Sequence, residues 1–163
     1  MTDRRLIRER PTDGRVGYAG GAFDLFHVGH LNILKHARNE CDFLIAGVVS
    51  DEVLRATKGS LPVVPLNERI EIVRSVRYVD DAVAETELDK LDTWRAVGFD
   101  VYFKGGDWKG TERGRRLERR FAAVGVEVVY FPYTMTTSST ILRRALAVLA
   151  DDAEASARAE GVH

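Results

Sequence analysis

Among 163 residues there is one cysteine, Cys41. That alone excludes an intramolecular disulfide and any all-cysteine metal site. Excess charge of either sign is also missing: 24 Lys plus Arg face 25 Asp plus Glu, a formal charge of -1. A nucleic-acid partner is therefore not expected, because such proteins carry a basic surplus. No apolar run approaches the roughly 20 residues of a membrane-spanning helix, so no membrane insertion is expected. The opening MTDRRLIRERP has charge but no signal-peptide core. A reduced, cytoplasmic compartment is the plain expectation. What remains is 45% apolar and 30% charged, the composition of one globular domain with a full core.

The ends differ from the middle. Residues 1–14 are mostly polar and close with Pro11 and Gly14, an N-terminal arm. Residues 151–163 lack large apolar side chains apart from Val162 and read as a polar tail or frayed helix extension. The domain is expected over 15–150. There, nearly continuous apolar runs predict strands at Arg15–Ala19, Asp42–Val49, Val79–Val83, Asp100–Phe103 and Val126–Phe131. Stripes of helical spacing alternate with them: Leu31, Leu34 and Ala37; Ile70, Val73 and Val76; Leu117, Phe121 and Val124; Ile141, Leu142, Ala145 and Leu149. Gly125 marks a helix stop. The alternation predicts an α/β fold, a Rossmann-like doubly wound five-stranded parallel sheet with helices on both faces. Ligands of such folds bind beyond the carboxyl ends of the strands, where strand order reverses. Chemistry is therefore sought in the residues that follow each strand.

After the first strand comes Gly20-Gly21-Ala22-Phe23-Asp24-Leu25-Phe26-His27-Val28-Gly29-His30, opening a helix. Free N–H groups and the helix dipole favour an anion there. Gly29 leaves room for phosphate oxygens, and His27 and His30 can each donate a hydrogen bond and turn cationic as negative charge accumulates. A capped helix with two surface histidines is the bland alternative. No companion Cys or His cluster stands near, which weighs against zinc.

The GxFDxxHxGH run resembles the cytidylyltransferase family of HxGH nucleotidyltransferases, and further signatures follow in order. Lys58-Gly59 sits where the family has a flexible lysine segment, in what reads here as a polar loop. Glu68-Arg69 opens a helix. Arg77-Tyr78-Val79-Asp80 matches the RYVD of glycerol-3-phosphate cytidylyltransferases. Lys104-Gly105-Gly106-Asp107-Trp108 resembles GDDW, with Gly106 where aspartate is common, and Ser138-Ser139-Thr140 stands where the family has STT. The likeness spans residues 16–146.

The resemblance implies transfer of CMP from CTP to a small alcohol phosphate, glycerol 3-phosphate by default, with release of pyrophosphate. Mg²⁺ would accompany CTP, its protein ligands unassigned, and a homodimer is expected. It gives catalytic roles to His27, His30, Lys58 and Arg77. Nucleotide-binding roles go to Gly20, Gly21, Ala22, Phe23, Asp24, Gly29, Lys104, Gly105, Asp107, Thr134, Ser138, Ser139 and Thr140. Asp24 is expected to orient His27 or to hold the metal–triphosphate complex. Sugar-phosphate adenylyltransferases share HxGH, and their KGGD resembles Lys104–Asp107 more closely, so adenylyl transfer is the enzyme alternative. A nucleotide-binding regulator without turnover is the alternative of another class. One departure stands out. Where relatives read Pro-Arg-Thr, this chain has Pro132-Tyr133-Thr134, and Arg77 is the first candidate to replace the missing guanidinium.

The arginine-rich segment Arg113, Arg115, Arg116, Arg119 and Arg120 is broken by Glu112 and Glu118 and backed by Leu117 and Phe121, so it reads as a solvated helix face. Trp94, at helical spacing from Leu91 and Val97, reads as core.

Overall fold

A computed structural model describes residues 9–132 and 137–160. Five parallel strands, β1 (Val16–Gly21), β2 (Phe43–Val49), β3 (Asp81–Glu85), β4 (Val101–Gly105) and β5 (Glu127–Phe131), lie in the order β3-β2-β1-β4-β5. All four neighbouring pairs are parallel, so every strand delivers its carboxyl end to one edge. The order reverses between β1 and β4, and the predicted doubly wound sheet is therefore the observed one.

Side-chain alternation divides the core into two layers. Ala19, Leu44, Ala46, Val48 and Phe103 meet Leu34 and Ala37 of α1 (Val28–Asn39) and Val73 of α3 (Leu66–Arg74) on one face. Tyr18, Phe43, Ile45 and Tyr102 meet Leu117 and Phe121 of α5 (Glu112–Ala122) and Trp94 of α4 (Lys90–Val97) on the other. Trp94 is core as expected, its indole N–H donating to the Phe99 carbonyl at 3.1 Å. Gly125, in the left-handed region at φ 77°, stops the chain after α5.

Two boundaries depart from the sequence expectation. The β3 ladder begins at Asp81 rather than Val79, because Val76–Val79 is still a turn closed by the Val79 N–H on the Val76 carbonyl. The supposed loop after β2 is a helix, α2 (Asp51–Lys58), capped by Ser50 and ended by Gly59 at φ 71°. The C-terminal segment takes the helical one of its two readings: α6 (Ser139–Glu160) continues through 151–160. From Arg144 to Ala159 it is exposed throughout. Its alanine-rich sequence explains how it persists with little packing, since alanine is the strongest helix former. No helix among the described residues is long and apolar enough to cross a membrane.

Candidate active site

Two helix N-termini meet beyond the carboxyl end of β1. The β1–α1 connection is tightly folded: Phe23 and Leu25 hold φ values of 51° and 50°, a region non-glycine residues adopt only under tertiary constraint. The constraints are visible. Phe23 is buried in the core. Asp24 is 1% exposed. Its two carboxylate oxygens accept the N–H groups of Val63 and Val64, each at 2.9 Å. Arg69 is fully buried and donates to the carbonyls of Ala22 at 2.6 Å, Val49 at 2.9 Å and Val64 at 2.8 Å, and to the Asp51 carboxylate at 2.5 Å. One guanidinium thus fixes the ends of β1 and β2, the start of α2 and the approach to α3.

His27 is the N-cap of α1. Its Nδ1 accepts the Gly29 N–H at 3.0 Å, and His30 Nδ1 accepts the His27 N–H at 3.4 Å, a capping box built from two imidazoles. With Nδ1 accepting, the ring proton of each neutral imidazole resides on Nε2. Gly29 is needed for this: a Cβ there would lie 2.7 Å from His27 Cε1. The glycine expected to admit phosphate oxygens first of all admits the His27 ring. The ring centroids of His27 and His30 are 4.0 Å apart. Burial pulls His27 below the ordinary histidine value. It pulls His30 to about 4, with His27 and Lys58 reinforcing and Asp24 opposing. Both are therefore neutral donors at pH 7, with room to gain charge beside an anion.

The start of α6 docks on this turn. Ser138 caps the helix, its hydroxyl accepting the Ile141 N–H at 3.2 Å. The Ser139 hydroxyl donates to the Asp24 carbonyl at 2.7 Å, so at 3.3 Å it accepts from His27 Nε2. Two helix N-termini with uncommitted N–H groups converge, an arrangement that attracts polyphosphate. A small cleft beside them is lined by Ala22, Asp24, Leu54, Lys58, Ser60, Pro62 and Arg143. Arg143, one turn into α6 with its Nε donating to the Ser139 carbonyl at 3.3 Å, lines it together with Lys58. Lys58 is exposed at the last residue of α2.

Gly20, Gly21, Ala22, Phe23, Asp24, His27, Gly29, His30, Lys58, Ser138 and Ser139 are thus gathered around one turn, with Thr140 exposed beside them. Thr134, like Tyr133, lies outside the described residues. Lys104 and Gly105 end β4, the strand next to β1, and Asp107 follows it. Burial lowers Lys104 to about 8, Asp107 opposing while Lys90, Arg113 and Lys58 reinforce. Its Nζ stands 3.8 Å from the Trp108 ring centroid, and Arg113 Cζ 4.0 Å. The rest of the α5 arginines behave as a solvated face: Arg115 and Arg119 pair with Glu112, and Arg120 with Asp89.

Two expectations are corrected. Arg77 does not join the cluster. It is exposed in the turn before β3, and the next residues enter at the opposite edge of the sheet, where the Asp80 N–H meets the carbonyl of Leu44 near the start of β2. Asp24 does not orient His27 through its carboxylate, both oxygens of which are committed to Val63 and Val64. Arg69 and Arg143 were not singled out from the sequence as site residues.

The cytidylyltransferase-like family profile matches residues 18–145. FAD synthase of Pyrococcus abyssi is 34% identical over 137 residues, 81% of this chain and 93% of its own. The bifunctional protein HldE of Streptomyces coelicolor is 39% identical over 142 residues, 83% of this chain but 29% of its own length. Ethanolamine-phosphate cytidylyltransferase of Arabidopsis thaliana is 41% identical over 98 residues, 60% of this chain and 23% of its own. Among solved structures, a lipopolysaccharide core biosynthesis protein from Thermoplasma volcanium superposes with a TM-score of 0.65 at 26% identity, over 77% of this chain and 100% of that one.

Proposed function

The chain belongs to the cytidylyltransferase-like family of nucleotidyltransferases, and we propose that it transfers CMP from CTP to a small alcohol phosphate, with glycerol 3-phosphate the first acceptor to test. One observation carries the reading: the N-termini of α1 and α6 meet through Ser139 with two neutral Nε2–H imidazoles between them. The acceptor phosphate, with a second pKa of about 6, is already largely a dianion at pH 7. Its oxygen attacks the α-phosphorus of CTP, the bond from that phosphorus to the β-phosphate oxygen breaks, and pyrophosphate leaves. No base is needed and no proton moves to or from carbon. The protein's task is to align the oxygens and neutralise accumulating charge. In this reading His27 and His30 donate through Nε2, the two helix starts through their N–H groups, and Lys58 and Arg143 close from either side. Arg143 then supplies the guanidinium that Tyr133 lacks, in place of Arg77 in the turn before β3.

Mg²⁺ belongs to the same proposal. Among the described residues no three His, Cys, Asp or Glu side chains converge on a metal position, and the Asp24 carboxylate is occupied by backbone N–H groups. In this reading the ion would arrive with the triphosphate and be held largely through phosphate oxygens and water. It would supply charge neutralisation. A homodimer is likewise proposed, and sedimentation tests it.

Pyrophosphate release over a grid of nucleoside triphosphates and phosphorylated alcohols tests the whole. CTP is expected to exceed ATP at least about tenfold in kcat/KM, or roughly 1.4 kcal/mol. Adenylyl transfer is the second reading. It is favoured by the near-complete coverage of FAD synthase and by the KGGD run at Lys104–Asp107, and equal or better use of ATP would establish it. Tight CTP binding without turnover on any acceptor would instead indicate a regulator.

A further inference from the structure

Lys104 is a half-buried ammonium with an unusual set of neighbours. Along β4 it shares a face with Tyr102, whose ring belongs to the layer beneath α4 and α5. The imidazoles stand at the start of α1, which packs on the other face. The two groups therefore flank the carboxyl edge of the sheet from opposite sides, at the strand-order switch between β1 and β4. The Trp108 ring lies against the ammonium and carries the Arg113 guanidinium as well, while Lys58 and Lys90 add repulsion and Asp107 attraction. Lys90 is taken by the buried Glu85, whose other oxygen accepts from the Tyr18 hydroxyl at 2.6 Å. Lys104 itself forms no ion pair among the described residues.

A half-buried charge outside any ion pair is costly. Here the counter-charge has a source in the reaction. In-line displacement requires the attacking oxygen to approach the α-phosphorus opposite the departing pyrophosphate. If the pyrophosphate portion lies on the imidazole side, the attacking phosphate lies on the Lys104 side. Lys58 lines the cleft beside the starts of α1 and α6 and adds positive potential at both His30 and Lys104.

We propose that Lys104 anchors the phosphate monoester of the acceptor, and that the cations around it select acceptors lacking an ammonium group. The proposal rests on the nucleotidyl-transfer reading above and narrows its substrate class to phosphorylated polyols and sugars. An aminoalcohol phosphate carries its ammonium a few bonds from the phosphate, which brings it toward Lys58 and Arg113. Hydroxyl groups meet no such repulsion.

The test uses Lys104→Met, which keeps length and packing against Trp108, and Lys104→Arg, which keeps charge. With CTP saturating and glycerol 3-phosphate varied, Lys104→Met is expected to raise acceptor KM about 10- to 100-fold, the worth of one charge-assisted bond, and Lys104→Arg to restore most of it. The KM for CTP should stay within about threefold. Wild-type protein should use glycerol 3-phosphate at least about tenfold better than phosphoethanolamine. A rise in CTP KM as large as that for the acceptor would place Lys104 on the triphosphate and overturn the proposal, as would unchanged kinetics in Lys104→Met. Parity between the two acceptors would overturn the selectivity. Calorimetric titration with glycerol 3-phosphate separates this from the parent reading. Binding lost in Lys104→Met, with no pyrophosphate released from any triphosphate by wild type, would sink nucleotidyl transfer and leave the phosphate site standing.

Discussion

Replacing His27 by asparagine separates two jobs that one imidazole performs. His27 Nδ1 caps α1 by accepting the Gly29 N–H at 3.0 Å. Its Nε2–H projects the other way, to Ser139 Oγ at 3.3 Å, beside the start of α6. The amide oxygen of asparagine takes the place of Nδ1 and is a favoured N-cap, whereas nothing replaces Nε2. Stability should therefore change by no more than about 0.5 kcal/mol in His27→Asn, against about 1 kcal/mol lost in His27→Ala, where the Gly29 N–H loses its partner. Turnover should fall in both. One preorganised donor to a transition-state oxyanion is worth about 2.7–4 kcal/mol, so pyrophosphate release at saturating CTP and glycerol 3-phosphate should drop about 10²–10³-fold. Urea denaturation and steady-state kinetics on the same preparations decide. Turnover in His27→Asn within about tenfold of wild type would refute the catalytic assignment. A loss well above 1 kcal/mol in the same variant would refute the cap argument.

Arg69→Met removes the donor to three carbonyls and a carboxylate in a fully buried position; a loss of about 3–5 kcal/mol is expected in urea unfolding, and a loss below about 1 kcal/mol would mean water replaces the guanidinium freely. Arg143→Leu should reduce kcat/KM for the triphosphate at least about tenfold while Arg77→Ala stays within about threefold, and the reverse ranking would return the compensating role to Arg77. Acid sensitivity follows from His30, whose value falls from the ordinary 6.5 to about 4 on folding. The unfolded chain then binds more protons between these values, so stability is full above pH 7 and declines as pH falls, by about 2 kcal/mol at pH 5 from this group. His30→Asn should flatten that decline, and an unchanged slope would locate the acid sensitivity elsewhere.

The strands were legible because a parallel sheet covered on both faces demands nearly unbroken apolar runs, and FLIAGVV has no other economical use. Helix α2 was not, although its punctuation was in view: Ser50 as cap, Asp51 and Glu52 in the first turn, Gly59 as stop. Only Val53 and Leu54 of its eight residues are buried, too few to make a stripe. The HxGH turn was legible as an anion site because backbone N–H groups at a helix start are fixed by local geometry. What local geometry could not supply was the destination of long polar side chains. Asp24 stands three residues from His27, yet its carboxylate serves amides 39 and 40 residues away. Arg69 in LNERIEIVR has the pattern of a solvated helix charge, and only the fold reveals that it reaches four oxygens on converging segments.

Arg77 shows how the direction of a chain decides between two plausible cations. In a parallel sheet each crossover returns the chain from the carboxyl edge to the amino edge, so a residue just before a strand is carried away from the site that residues after strands build. Arg77 precedes β3 by four positions and arrives, with Asp80 on the Leu44 carbonyl, at the amino edge. His27, Lys58 and Lys104 all come after the start of a carboxyl-edge excursion or end a strand there. Arg143 satisfies the same rule by a different route: α6 begins at that edge, anchored by Ser139 on the Asp24 carbonyl. Its first turn is therefore the last place from which this chain presents a guanidinium to the cleft. The rule that favoured searching after each strand, applied to Arg77 as strictly as to the histidines, already argued against it and for a cation on the helix that follows β5.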